Sequence, residues 1–115
     1  MILGPHTIIR LRAALITDPY SGEETQADWN DASNPPAELP ITGCSVQPAT
    51  AQPILRNMRQ GVIVDLLVWA PLGSDITEAD RAEYAGEPYV ISDTIQRWDF
   101  PPLGHIVIPL QLVRG

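Results

Sequence analysis

Two strand-like stretches between Cys44 and Pro71 are separated by more residues than a hairpin needs, and this spacing constrains the fold more than any other feature of the chain. Cys44, Val46 and Pro48 alternate with Ser45 and Gln47, the period of a strand with one buried face, and Val62–Trp69 is apolar except for Asp65. Between them lie Ala49–Gly61. Hairpin loops take about two to five residues, so the insertion is either a disordered linker or an arm retained because something uses it. Ile54, Leu55 and Met58 favour use, since apolar side chains gain nothing on a purely solvated linker.

The remainder also reads as β. Ile9, Leu11 and Ala13 alternate with Ile8, Arg10 and Arg12, which predicts a first strand with Ile9, Leu11 and Ala13 facing inward. Asp18-Pro19-Tyr20-Ser21-Gly22 ends it with turn chemistry, and 18–40 reads as a long connection to a second strand near Ile41–Pro48. A third strand covers Val62–Ala70 and closes at Pro71-Leu72-Gly73-Ser74-Asp75. Thr77 as an N-cap, with Asp80 three residues on, predicts a short helical turn to about Tyr84, stopped by Gly86. Tyr89-Val90-Ile91 opens a fourth strand running toward Ile95. Ile106, Ile108, Leu110 and Leu112 alternate through a last one, which Pro109 pushes toward an edge or a bulge. The expectation is one domain over 1–115, mainly β: a small barrel or sandwich of five to six strands with long loops and one short helical turn. A chain of 115 residues can bury one core without staples.

Charge and cysteine content narrow the function classes. Fourteen acidic residues stand against seven arginines and no lysine, a net charge of −7. Such a surface does not wrap DNA, because nucleic-acid affinity comes largely from neutralising phosphates. It does suit a wall that DNA slides past without sticking. The one cysteine, Cys44, allows no internal disulfide and no zinc site by itself, and reads as a buried thiol on a strand. Met1–Leu15 is interrupted by Arg10 and Arg12, unlike a secretory leader, and no stretch approaches the roughly 20 apolar residues of a membrane span. The expectation is a soluble protein made in the cytoplasm, with no membrane partner.

Catalysis finds little support. His6 and His105 sit in no nucleophile or metal motif. Asp93 and Asp99 are either a carboxylate pair or turn residues, and Asp75–Asp80 lacks the glycine and ligand spacing of a calcium loop. No enzyme activity, cofactor or metal is therefore expected. Trp69, Trp98 and Phe100 are either a stacking platform for a sugar or base or part of the core, with Trp98–Gly104 a rigid turn. A monomeric ligand-binding β module thus stands as an alternative of another class. No basic residue falls between Arg12 and Arg56, while Glu23, Glu24, Asp28 and Asp31 all do. That tract is either a solvated tip or an interface with a partner ring. Trp29 within it wants a pocket, on its own barrel or on a neighbour.

The order of several weak motifs carries a resemblance. Val46-Gln47-Pro48, a polar arm, a β-rich run ending in Trp69-Ala70-Pro71, then Asp75-Ile76-Thr77 leading into Asp80-Arg81 resembles the head completion proteins, or head-to-tail stoppers, of long-tailed bacteriophages. Tyr84-Ala85-Gly86-Glu87-Pro88-Tyr89-Val90, Trp98 and Leu110-Gln111-Leu112-Val113-Arg114 continue the pattern, so it spans roughly Ile8 to Arg114. The resemblance implies a virion protein assembled in the bacterial host, forming a homo-oligomeric ring in the neck. A portal or adaptor ring would lie above it and a tail terminator or tail tube protein below, with packaged DNA transiently close. It further implies that the arm projects into the channel, closes it after packaging and moves aside for ejection. Here that arm is Ala49, Thr50, Ala51, Gln52, Pro53, Ile54, Leu55, Arg56, Asn57, Met58, Arg59 and Gln60. It closes either by β-like pairing or by a helical turn. The latter has Thr50 as N-cap, Pro53 in the first turn, Ile54 and Met58 four apart and Gly61 beyond the end. A tail terminator or another neck-ring protein is the alternative within the same class.

Overall fold

The computed structural model describes residues 4–27, 29, 33–49, 63–99 and 104–113. Antiparallel pairing closes six strands into a barrel. Round the wall these are β1 (His6–Arg12), β4 (Ala37–Pro48), β5 (Leu66–Pro71), β9 (His105–Leu112), β7 (Glu87–Ile91) and β6 (Arg81–Tyr84), which pairs back onto β1. β8 (Gln96–Trp98) is an extra strand on β9, and β2 (Leu15–Thr17) with β3 (Glu24–Gln26) forms a separate two-stranded ribbon. The expected small β barrel is the fold of the chain.

The apolar run that predicts the third strand is explained by burial on both faces of β5. Leu66, Val68 and Ala70 point into the barrel with Ile8, Ile41, Cys44, Ile106, Ile108 and Leu110. Leu67 points outward onto a second cluster with Ala49 and Val107, against which Val64, Trp69 and Trp98 also pack. A strand covered on both sides has no polar face to show, hence the unbroken apolar sequence. The strand begins at Leu66 rather than Val62.

β4 serves two neighbours in turn. Its first half pairs with β1, from Arg12↔Ala37 to Ile8↔Ile41, and its second half pairs with β5, from Ser45↔Trp69 to Pro48↔Leu66. The switch falls at an irregularity: β1 takes two steps from Ile8 to His6 while β4 takes three from Ile41 to Cys44. Gly43 lies there with φ of 72°, where glycine bears no steric penalty, so the extra residue bends the strand from one partner to the other. Because β4 starts at Ala37, the predicted connection over 18–40 is shorter than expected, and it contains β3 of the ribbon, whose partner β2 precedes it.

Three sequence expectations are corrected. First, the inner residues of β1 are Ile8 and Arg10, at 0% and 7% exposure, while Ile9 and Leu11 are only partly buried. Ala13 is buried as expected. A strand shifted by one residue turns its whole set of side chains over, and the unexpected inward arginine is held by partners described below. Second, Arg81–Tyr84 is β6 and not a helical turn, because Ala82 is buried and the segment pairs with both β1 and β7. Third, Pro109 lies within a strand paired on both sides rather than at an edge. Its carbonyl accepts Ser92 N–H at 3.0 Å, so its missing donor faces the gap between β7 and β8, where the ladder is already interrupted. For the same reason the predicted fourth strand stops at Ile91 and resumes as β8 at Gln96.

The β6–β7 hairpin turns on Ala85 and Gly86, with φ of 53° and 80°, between the paired residues Tyr84 and Glu87. Both central residues of this two-residue turn are left-handed, the geometry that selects Asn-Gly. Alanine has no side-chain bond with which to offset that conformation. Ala85→Asn is therefore expected to stabilise the chain by about 1 kcal/mol, read as an upward shift in the urea midpoint at unchanged slope.

Candidate functional site

The described residues that flank 50–62 form a firmly tied base. Pro48 is paired with Leu66, and one step beyond, Ala49 N–H donates to the Asp65 carbonyl at 3.2 Å. Asp65 then clamps the start of β5 to β9, its N–H donating to the Leu110 carbonyl at 2.8 Å and its Oδ2 accepting Leu112 N–H at 2.8 Å. The single acidic residue in the apolar run is thus a backbone acceptor that fixes the root of the insertion. Ala49, at 1% exposure, packs with Leu67 and Val107 on the outer cluster. The root rests on packed hydrocarbon as well as on hydrogen bonds.

Of the predicted arm, Ala49 is at this root, and Thr50–Gln60 lie outside the described residues. Trp69 and Trp98 are brought together on the outer cluster, where both are partly buried, and Trp98 stacks on His105 with centroids 6.5 Å apart. Their placement follows the core reading and not that of an open platform. Phe100 lies outside the described residues.

Of the predicted interface residues, Glu23 and Glu24 are exposed on the ribbon. The Arg81 guanidinium lies 4.7 Å over the Trp29 ring, so this indole has a partner on its own barrel. Asp28 and Asp31 lie outside the described residues. Glu23 is held near the base of the ribbon's turn, where Asp18 N–H donates to its carbonyl at 2.8 Å.

The remaining titratable candidates have structural neighbours. His6 Nδ1 accepts Val46 N–H at 3.1 Å, and its ring meets Tyr84 edge-on at 5.8 Å. Asp93 Oδ1 accepts Thr94 N–H at 2.7 Å, whereas Asp99 is 3.8 Å from Arg97. Cys44 is fully buried, which pushes its thiol pKa up and keeps it protonated. Among the described residues no group of three or more His, Cys, Asp and Glu side chains is placed to hold a metal ion, and no helix is long and apolar enough to cross a membrane.

One charged cluster escaped the sequence reading. Arg10 donates to Asp75 Oδ2 at 2.9 Å and to the Asp75 carbonyl at 3.2 Å, while Arg12 grips Asp80 through Nε and Nη2, both at 2.9 Å, and reaches Asp75 Oδ1 at 3.1 Å. Asp80 Oδ2 also accepts Thr77 N–H at 2.9 Å. The four charges tie the connection between β5 and β6 across β1. Burial works to raise the Asp80 pKa, but the bonds from Arg12 and from Thr77 outweigh it and hold the carboxyl below its ordinary value. Hydrogen bonding from Arg12 does the same for Asp75, and the two carboxylates raise the pKa of Arg12. The legible signal was two arginines two apart among the apolar residues Ile8, Ile9 and Leu11, a pattern that calls for carboxylates elsewhere in the chain.

No protein-family model matches the chain, and no curated protein matches it.

Proposed function

We propose that this chain is a structural, non-enzymatic protein of the neck of a long-tailed bacteriophage. Copies form a ring between the portal or adaptor and the tail, and the arm Ala49–Gln60 closes the DNA channel after packaging and opens for ejection. The observation that supports this reading is the anchored root at Ala49 and Asp65. An insertion far longer than a hairpin loop, whose flanking residues Ala49 and Asp65 are joined by a backbone bond and whose root at Ala49 packs on a hydrophobic cluster, suits delivery of a segment to a fixed place. Its sequence suits contact at an axis, with Ile54, Leu55 and Met58 to meet their symmetry mates and Arg56 and Arg59 to touch the last phosphates of the packaged end. The lysine-free surface with net charge −7 keeps the duplex from adhering to the wall.

The test is to assemble heads with a variant in which Ala51–Arg59 is replaced by a short Gly-Ser link. Loop-closure entropy changes by only about 0.6 kcal/mol per doubling of length, so the barrel should melt almost as the parent does and the ring should still bind. Packaged DNA should then leak. Normal DNA retention in heads that carry the shortened ring would exclude the arm as the plug.

A further inference from the structure

The ribbon carries an open strand edge. Among the described residues β2 and β3 pair only with each other, and every residue of both strands is exposed. A lone two-stranded ribbon is marginal in water. Its ladder phase is fixed by Asp18 N–H donating to the Glu23 carbonyl at 2.8 Å and Ala27 N–H donating to the Ala14 carbonyl at 2.7 Å. Bonded and non-bonded pairs alternate along an antiparallel ladder. Ile16 and Thr25 are therefore a bonded pair, and Leu15 and Thr17 turn their N–H and C=O groups away from β3. Those four groups line the outer edge of β2. That edge has no charge, proline or bulge to discourage pairing, and its side chains Leu15 and Ile16 are 63% and 37% exposed. The outer edge of β3, by contrast, carries Glu24 beside Glu23.

We propose that the edge of β2 pairs with the same edge of a second copy of this chain, antiparallel about a two-fold axis at Ile16. In that register Leu15 faces Thr17 of the second copy as a bonded pair, and the symmetry repeats it, giving four new backbone hydrogen bonds. Ile16 faces Ile16 as a non-bonded pair, the kind in which side chains approach more closely. The occupant follows from charge. Asp18 falls opposite Ala14, and Glu23 and Glu24 ride on the outer strands of the resulting four-stranded ribbon, so no acids stand face to face. On a chain of net charge −7 this neutral edge is where two copies meet with least repulsion. A basic peptide would be drawn to the β3 edge instead. The contact is self-complementary and closed. It stands whether or not the neck reading does, since a two-fold pair does not itself close a ring.

The test uses the full chain. Sedimentation equilibrium should show a monomer–dimer equilibrium, and Thr17→Pro, which deletes one outward N–H without touching a bond to β3, should leave monomer only, with an unchanged melt. Ile16→Asp, which sets two carboxylates across the axis, should do the same if the proline variant misfolds. Under mild oxidation Ile16→Cys should become a covalent dimer, since a non-bonded pair with Cα atoms about 4.5 Å apart lies within disulfide reach. Thr25→Cys should cross-link far more slowly, and the native Cys44 is buried. The proposal is overturned by a parent that stays monomeric up to its solubility limit. It is equally overturned by a dimer that both Thr17→Pro and Ile16→Asp leave intact, or by faster cross-linking at position 25 than at 16.

Discussion

Ile108→Asp is expected to abolish folding. Ile108 is fully buried at the middle of β9, opposite Val68, in the cluster that fills the barrel. The buried members of that cluster are Ile8, Ile41, Cys44, Val68, Ala70, Ile76, Ala82, Ile106 and Leu110, and none of them carries a positive charge to offset a carboxylate. An uncompensated charge there costs at least about 4 kcal/mol, against a total stability of about 5–15 kcal/mol for a domain of this kind. Circular dichroism in a urea titration should show no cooperative transition. Thr7→Asp, at an exposed position on β1, should melt within a few degrees of the parent. A cooperative transition at the parent's midpoint in Ile108→Asp would sink the barrel assignment of β9.

The second large effect is expected at Asp80. Asp80→Ala removes the acceptor of two Arg12 bonds and of Thr77 N–H. The loss should be about 1–3 kcal/mol, at the low end because Arg12 keeps Asp75 and can reach water. The acid limb of the stability curve has the same origin. The folded-state pKa values of Asp75 and Asp80 lie below the ordinary 3.8. Their ion pairing is therefore fully present above that value and is lost as pH falls through the lower folded-state values. The melting temperature should thus drop on acidification below pH 3.8, and Asp80→Asn, which has no carboxyl to protonate, should show a shallower drop from a lower starting point. An identical acid profile in the two proteins would remove Asp80 from the account.

What could be read from the sequence depended on whether the physical cause was local. The alternation of Ile106, Ile108, Leu110 and Leu112 and the apolar run through Leu66–Ala70 disclosed the barrel, because side-chain period and burial leave a mark within a few residues. The facing of β1 was not legible. Ile9 and Leu11 form as regular an apolar set as the true inner face, and Arg10 is acceptable inside only because Asp75, 65 positions away, receives it. Thr77 and Asp80 do make the short-range bonds that suggested a helix start, yet the next residues are taken up by β1 and β7. Tertiary pairing decides such cases over local propensity. Asp65 was visible as an oddity in an apolar run, but its role depends on the N–H of Leu112, 47 positions on. The strands β2 and β3, three residues each, are too short for a period to register.

The way residues 50–62 are rooted sets how the barrel bears mechanical load. Because the segment joins adjacent ends of β4 and β5, a pull on it draws both strands lengthwise in the same direction and does not peel one from the other. The resisting bonds are those of β4 to β1 and of β5 to β9, a six-pair ladder reinforced at its end by Asp65. These are loaded in shear, side by side, so many must yield together before either strand slides. A thin wall of short strands can therefore hold a tethered segment against sustained force without a larger core.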